Sequence, residues 1–274
     1  MKSFHRRAER SAPAPRTLET PVINRHGLVR LDRLLTQKGL CASRTLAQRL
    51  IAAGKIKLDG ATILKPSHET HDEAVIEILV DESDRFVSRG GLKLAGSLQQ
   101  TGIDVQNLRC LDIGQSTGGF TDCLLQSGAK HVVGVDVGHG QLHSQLSSDP
   151  RVTVIEGINC RGLEPSMLGS ALPANGFSLI VGDVSFISLT LILPQLPPLL
   201  AQNGSILMLV KPQFEVGPNN IGKGGIVRDT KLYLEVEQKI RTCAKSLNLN
   251  VQAWLESPIT GGDGNHEFFI WLKK

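Results

Sequence analysis

The chain has 274 residues, 41% apolar and 20% charged, with a net charge of +4; this length suits one large domain or two unequal ones and supports a sizeable core. No run of about 18 apolar residues is present, which argues against a membrane-spanning helix. Its five cysteines (Cys41, Cys110, Cys123, Cys160, Cys243) are widely spaced and include no Cys-x-x-Cys pair, so neither a disulfide framework nor a zinc site is expected.

The charge is unevenly placed. Residues 1–60 hold 13 Lys and Arg against 4 Asp and Glu, while the rest is net acidic, so the basic end is suited to a polyanion, with a merely solvated surface as the alternative. The first twenty residues are polar and lack an apolar signal core, which points to a reducing cytoplasm. Their Ser, Ala, Pro and Arg content predicts a flexible basic arm over 1–28.

From Val29 the apolar spacing (Leu31, Leu34, Leu35, then Leu46, Leu50, Ile51) predicts two short amphipathic helices joined at Gly39, the second capped by Ser43. Lys55-Ile56-Lys57-Leu58 then alternates as a strand into an Asp59-Gly60 hairpin turn, and a strand from Ala74 to Val80 closes a module spanning 29–80. The stretch RLDRLLTQKGLCASRTLAQRLIAAGKIKLDG resembles the α-L RNA-binding module found in a small-subunit ribosomal protein, tyrosyl-tRNA synthetases and many pseudouridine synthases. That resemblance implies a small α+β domain presenting Arg30, Arg33, Arg44, Arg49, Lys55 and Lys57 to RNA phosphates.

Residues 81–87 are expected to be a linker, followed by a domain over 88–274 whose first helix begins at Leu94, with Lys93 near its start. Next, an apolar strand from Arg109 to Ile113 runs through a glycine turn into a helix from Phe120 to Leu125. This is how doubly wound α/β folds meet a nucleotide-type cofactor. A dinucleotide fingerprint needs a second glycine at 116, where this chain has Ser116, so a smaller ligand without phosphates fits better, S-adenosyl-L-methionine being the usual one. Asp112, Gly114, Ser116, Thr117, Gly118, Gly119 and Phe120 are the expected cofactor contacts, Asp112 and the glycines at its methionine end. Asp136, ending the strand from His131, suits the ribose hydroxyls, and Asn159, beyond a strand at Val152–Ile155, is a candidate for the adenine edge.

A fourth strand from Phe177 ends at Asp183 and leads through Ser188 into a helix; a fifth from Ile206 is cut off at Pro212, immediately after Lys211. Asp183, also a candidate cofactor contact, and Lys211 thus fall at carboxyl strand ends, where such folds place ligands. Residues 213–228 carry four glycines and no periodicity, the marks of a lid or binding loop. A helix after Asp229-Thr230, a strand from Val251 to Glu256 and a last strand from His266 complete the chain. The short Gly261–Asn265 turn permits only antiparallel pairing of those two strands, giving six parallel strands and a seventh reversed.

Methyl transfer to a hydroxyl needs donor and acceptor aligned and a base for the proton. A lysine serves as that base when desolvation or a second cation favours its neutral form; Lys211 and Lys93 would provide this, with Asp183 and Glu267 orienting them and no metal required. The segments VSRGGLKL, LDIGQSTGGFTD, GVDVGHGQL, GDVSFISL, LVKPQFE, GKGGIVRD and GNHEFFIWL resemble, in order and spacing, the TlyA (haemolysin A) family of FtsJ-like rRNA methyltransferases. The resemblance implies a Rossmann-like, S-adenosylmethionine-dependent enzyme whose catalytic tetrad falls on Lys93, Asp183, Lys211 and Glu267. It also implies cytidine 2′-O-methylation, with ribosomal RNA or ribosomal subunits rather than DNA or a membrane as partner. Two departures stand out: Gln115, where alanine is common, adds bulk beside the cofactor turn, and Phe86 stands where some members have Trp. The competing readings are a membrane-active haemolysin and a non-catalytic RNA-binding assembly factor.

Overall fold

Residues 27–41, 43–79 and 85–274 are described by the computed structural model, and they divide between residues 80 and 81 into two units. The expected arm at 1–28 lies outside these residues apart from Gly27 and Leu28, as do the first four residues of the expected linker.

In the first unit β1 (Val29–Arg30) enters directly into α1 (Leu31–Gln37), and α2 (Arg44–Ala52) follows a turn at Gly39, whose φ is +70°. Ser43 Oγ accepts the Leu46 amide, satisfying one of the donors left open at a helix start. β2 (Ile56–Leu58) and β3 (Ala61–Thr62) form the expected hairpin. Both its turn residues, Asp59 and Gly60, are left-handed (φ +49° and +82°), the twist that joins antiparallel strands tightly. β4 (Glu69–Thr70) pairs with β1, a contact of two residues each that no periodicity announces. β5 (Ile76–Ile78) pairs with β2 and is shorter than the expected strand. Leu31, Leu35, Ala47, Ile51 and Ile56 are fully buried and form this unit's core.

The second unit is a seven-stranded sheet. Along the chain it comprises α3 (Gly90–Thr101), β6 (Arg109–Ile113), α4 (Gly119–Gln126), β7 (His131–Asp136), α5 (Ser144–Ser147), β8 (Val152–Glu156), α6 (Pro165–Leu168), β9 (Phe177–Gly182), β10 (Leu200–Val210), α7 (Lys231–Ser246), β11 (Asn250–Glu256) and β12 (Phe268–Lys273). The strand order is β11-β12-β10-β9-β6-β7-β8, all parallel except β12, which runs against both neighbours. The order reverses at β6, where β7 lies on one side and β9 on the other, the crevice in which open α/β sheets hold ligands.

The central strands are buried on both faces, and their residues divide by the two-residue period of a strand. Leu111, Ile113, Val133, Val135, Ile180 and Met208 pack on one side, while Cys110, Val132, Leu179, Val181, Leu207 and Leu209 pack on the other. The helix expected after Ser188 does not form. Three 3₁₀ turns (Leu189–Leu191, Leu193–Gln195, Pro197–Leu199) take its place, because Pro194, Pro197 and Pro198 remove the amides a continuous helix would need. Leu189, Ile192, Leu193, Leu196 and Leu199 are nonetheless buried, so the apolar face survives the change of backbone. Arg85–Val87, the end of the expected linker, are fastened to the sheet unit. Val87 donates its amide to Asp122, Gln126 donates to the Arg85 carbonyl, and Phe86 fills the space over Gly91. Among the described residues no helix is long and apolar enough to cross a membrane.

Candidate active site

Asp183 and Lys211 follow β9 and β10 directly, and the sheet register sets them side by side. Lys211 Nζ lies 2.6 Å from Asp183 Oδ1 and donates to Ser185 Oγ at 2.7 Å. Lys93, in the first turns of α3, pairs with Glu267, just ahead of β12, at 2.5 Å. Both are almost fully buried, and a buried ammonium persists only with such a partner. Lys93 is thus an interior residue of the helix. Gly261 has no side chain to spare, since a Cβ there would lie 2.7 Å from Glu267 Oε1.

Lys93, Lys211 and Glu267 line one cavity of about 340 Å³, together with Ser185, Phe186, Gln213, Phe214 and residues of the glycine-rich loop; Asp183 reaches it through its ion pair. Ile221 and Gly225 bring the 213–228 loop into the cavity wall. That loop is tied down by Asn265, which accepts the Val227 amide and donates to the Gly225 carbonyl, and by the Tyr233 hydroxyl, which donates to the Val227 carbonyl.

Two aromatic residues here had no signal in the sequence. Phe186 is 91% exposed and its φ is +63°, a conformation uncommon for any side chain and strained for an aromatic one. Its ring meets that of Phe214 with centroids 5.2 Å apart.

Beside the cavity, the turn from β6 to α4 is left-handed at Gly114, Ser116 and Gly118. Asp136 is built into it: one carboxylate oxygen accepts the Ser116 amide at 2.8 Å and the other the Gly138 amide at 2.7 Å. Ser116, Thr117 and Asn159 are exposed, with Asn159 Oδ1 accepting the Arg161 amide. Gly118 and Gly119 are packing positions, since a Cβ would strike Leu146 at the first and Ser88 at the second.

Two expected cofactor contacts turn inward. The Phe120 ring stacks on Phe269 in the core, centroids 6.1 Å apart. Asp112 is fully buried and accepts the Thr121 hydroxyl at 2.7 Å, which in turn accepts Gln115 Nε2 at 2.8 Å. Burial pushes the Asp112 carboxyl up to about 7; the Thr121 bond opposes this and the nearby Asp183 charge adds to it. Gln115, expected as bulk beside the cofactor turn, instead points into the space over Gly134, where a Cβ would lie 2.0 Å from its side chain.

In the first unit, the buried Asp32 accepts from Arg30, Arg44 and Gln48. Burial alone would raise its pKa, but these bonds hold the carboxyl well below the usual range. Arg30 and Arg44 are therefore oriented by an internal acid while remaining partly exposed. Arg49 is exposed, and Arg33, Lys55 and Lys57 are partly so.

The sheet order, the glycine turn and the cavity at the carboxyl strand ends define a Rossmann-like methyltransferase. The FtsJ-like methyltransferase model matches residues 86–274, and the S4 domain model matches residues 29–76. Over 244 residues, 89% of each chain, the sequence is 43% identical to the 16S/23S rRNA (cytidine-2′-O)-methyltransferase TlyA of Mycobacterium tuberculosis. It is 40% identical to Hemolysin A of Brachyspira hyodysenteriae, covering 88% of this chain and 98% of that one. A solved structure from Streptococcus thermophilus, described as a candidate hemolysin, superposes with a TM-score of 0.69 at 40% identity, covering 90% of this chain and 89% of the other. The chain belongs to the TlyA family of FtsJ-like methyltransferases.

Proposed function

We propose that this protein transfers a methyl group from S-adenosyl-L-methionine to the 2′-hydroxyl of a cytidine in ribosomal RNA, in the cytoplasm. In this reading residues 29–80 hold RNA phosphates through Arg30, Arg33, Arg44, Arg49, Lys55 and Lys57, and residues 88–274 carry the chemistry. The observation that carries it is the meeting of two lysine–carboxylate pairs at one cavity on the carboxyl edge of the sheet.

The residues present fit the cofactor. Gly114, with no Cβ, lets the turn after β6 lie against the strand end that carries Asp183, since a Cβ there would lie 2.7 Å from the Asp183 carbonyl oxygen. Asp136, braced by two loop amides, would hold the ribose hydroxyls and Asn159 the adenine edge, while Ser116, Thr117 and the backbone of Gly114, Gly118 and Gly119 would hold the rest of the cofactor. Bound there, S-adenosyl-L-methionine supplies an electrophilic methyl on a sulfonium. Lys211 takes the proton from the 2′-hydroxyl, Asp183 and Ser185 fix the direction of Nζ, and the buried Lys93–Glu267 pair lines the same cavity. The exposed Phe186 ring with Phe214 behind it offers a stacking surface to a base drawn out of its RNA stack.

Incubation with unmodified ribosomal subunits and tritiated donor is expected to label the ribose of one cytidine. Lys211→Ala is expected to cut labelling by about 100-fold or more while the melting temperature moves little. Labelling retained in that variant removes Lys211 as the base, and label on the base moiety overturns 2′-O transfer.

A further inference from the structure

We propose that Glu215 is a positioning residue that sets the gap between Asp183 and Lys211. The inference rests on the methyl-transfer reading of the cavity. Glu215 stands four residues after Lys211, and its side chain is 1% exposed. Its carboxylate takes three donors: the Ser188 hydroxyl at 2.6 Å, the Leu189 amide at 2.6 Å and the Lys239 ammonium of α7 at 2.8 Å. Lys239 also donates to the Glu215 carbonyl at 3.0 Å, so backbone and side chain are both held.

Ser188 and Leu189 lie in the loop that begins with Asp183, and Glu215 lies in the loop that begins with Lys211. The buried carboxylate therefore fastens the far ends of the two loops whose near ends carry the ion pair. Between these points lie the Lys211–Ser185 hydrogen bond and the Phe186–Phe214 ring contact. Phe186 holds its strained φ only two residues from the Ser188 anchor, and such a conformation persists where its surroundings over-determine it. A carboxylate suits the position because every group facing it is a donor; a glutamine would turn its own N–H toward one of them.

The test uses the full chain with ribosomal subunits and labelled donor, measuring kcat, KM for subunits and Kd for S-adenosyl-L-methionine. Glu215→Gln is expected to lower kcat by about 10- to 100-fold with KM and Kd changed less than about twofold, a split that general loosening of the fold does not give. Ser188→Ala removes one of the three donors to Glu215, together with the Ser188–Thr190 hydrogen bonds, and is expected to show a smaller fall of the same kind, with Ser188→Thr restoring turnover. Glu237→Gln, which breaks the Glu237–Arg241 pair along α7, is expected to leave turnover unchanged. Should Glu215→Gln fail to fold, the Ser188 pair decides. Wild-type kcat in Ser188→Ala and in folded Glu215→Gln, with the parent active, overturns the role of Glu215; a parent that labels no ribose overturns the methyl-transfer reading and takes this proposal with it.

Discussion

Gly114→Ala tests how tightly the turn after β6 is joined to the loop that begins at Asp183. Gly114 has φ +80°, and an added Cβ would meet the Asp183 carbonyl oxygen at 2.7 Å, its carbon at 3.2 Å and Val184 Cγ1 at 3.3 Å. Left-handed backbone costs an L-residue about 1–2 kcal/mol, and overpacking against neighbours that cannot withdraw costs about 1–3 kcal/mol more. The sum of about 2–5 kcal/mol corresponds, for a unit of this size, to a fall in melting temperature on the order of 10 °C. Gly102→Ala is the matched control: its φ is +67°, but nothing lies within 4 Å of the added carbon, so only the backbone cost of about 1–2 kcal/mol applies. Thermal unfolding of both variants, followed by calorimetry, gives the comparison. If Gly114→Ala melts within a degree or two of Gly102→Ala, the Asp183 carbonyl yields freely and the argument from close approach is wrong.

Asp112 gives a pH prediction. Its carboxyl holds its proton to about 7 in the folded chain against an ordinary 3.8. The native state therefore binds more protons than the unfolded one between those values, and stability falls as pH rises through the window, levelling off above it. Asp112→Asn cannot lose a proton, so its melting temperature relative to the parent is expected to climb from pH 4 to pH 8; a constant difference removes burial of charge as the cause. In the first unit, Arg49→Ala is expected to weaken RNA binding and lower the salt slope by about 0.7–0.9 without changing the melting temperature, in filter-binding titrations over a salt series. Arg44→Ala is expected to cost both, because it takes a donor from the buried Asp32; equal stability of the two variants would show that Asp32 does not need it.

The strands over Arg109–Ile113 and His131–Asp136 were legible to the residue, because unbroken apolar runs bounded by turn residues have few other uses in a chain. Asp183 and Lys211 were legible for the same reason, as charges placed where such runs stop. The helix after Ser188 was misread because its leucines keep a helical spacing while its prolines forbid the hydrogen bonds. Lys93 could not be recognised as interior from its own segment. Its only justification for burial is Glu267, 174 residues further on, and local pattern carries no trace of that pairing. Gln115 shows the converse: its identity suggested crowding at the ligand, but the absent side chain of Gly134, on the next strand, gave it somewhere else to go. Phe186 and Glu215 stayed silent because strain and anchoring belong to the meeting of two loops.

The place of β12 has a consequence for the order of events during synthesis. It follows every other strand in sequence yet lies between β10 and β11, so a growing chain that has made six strands still has a slot in its sheet. Until β12 fills that slot, Lys93 has no Glu267 to face and β10 presents an unpaired edge. The buried Lys93–Glu267 pair is thus completed only when the last strand of the sheet has been inserted, and until then the open edge is the point most exposed to misassembly.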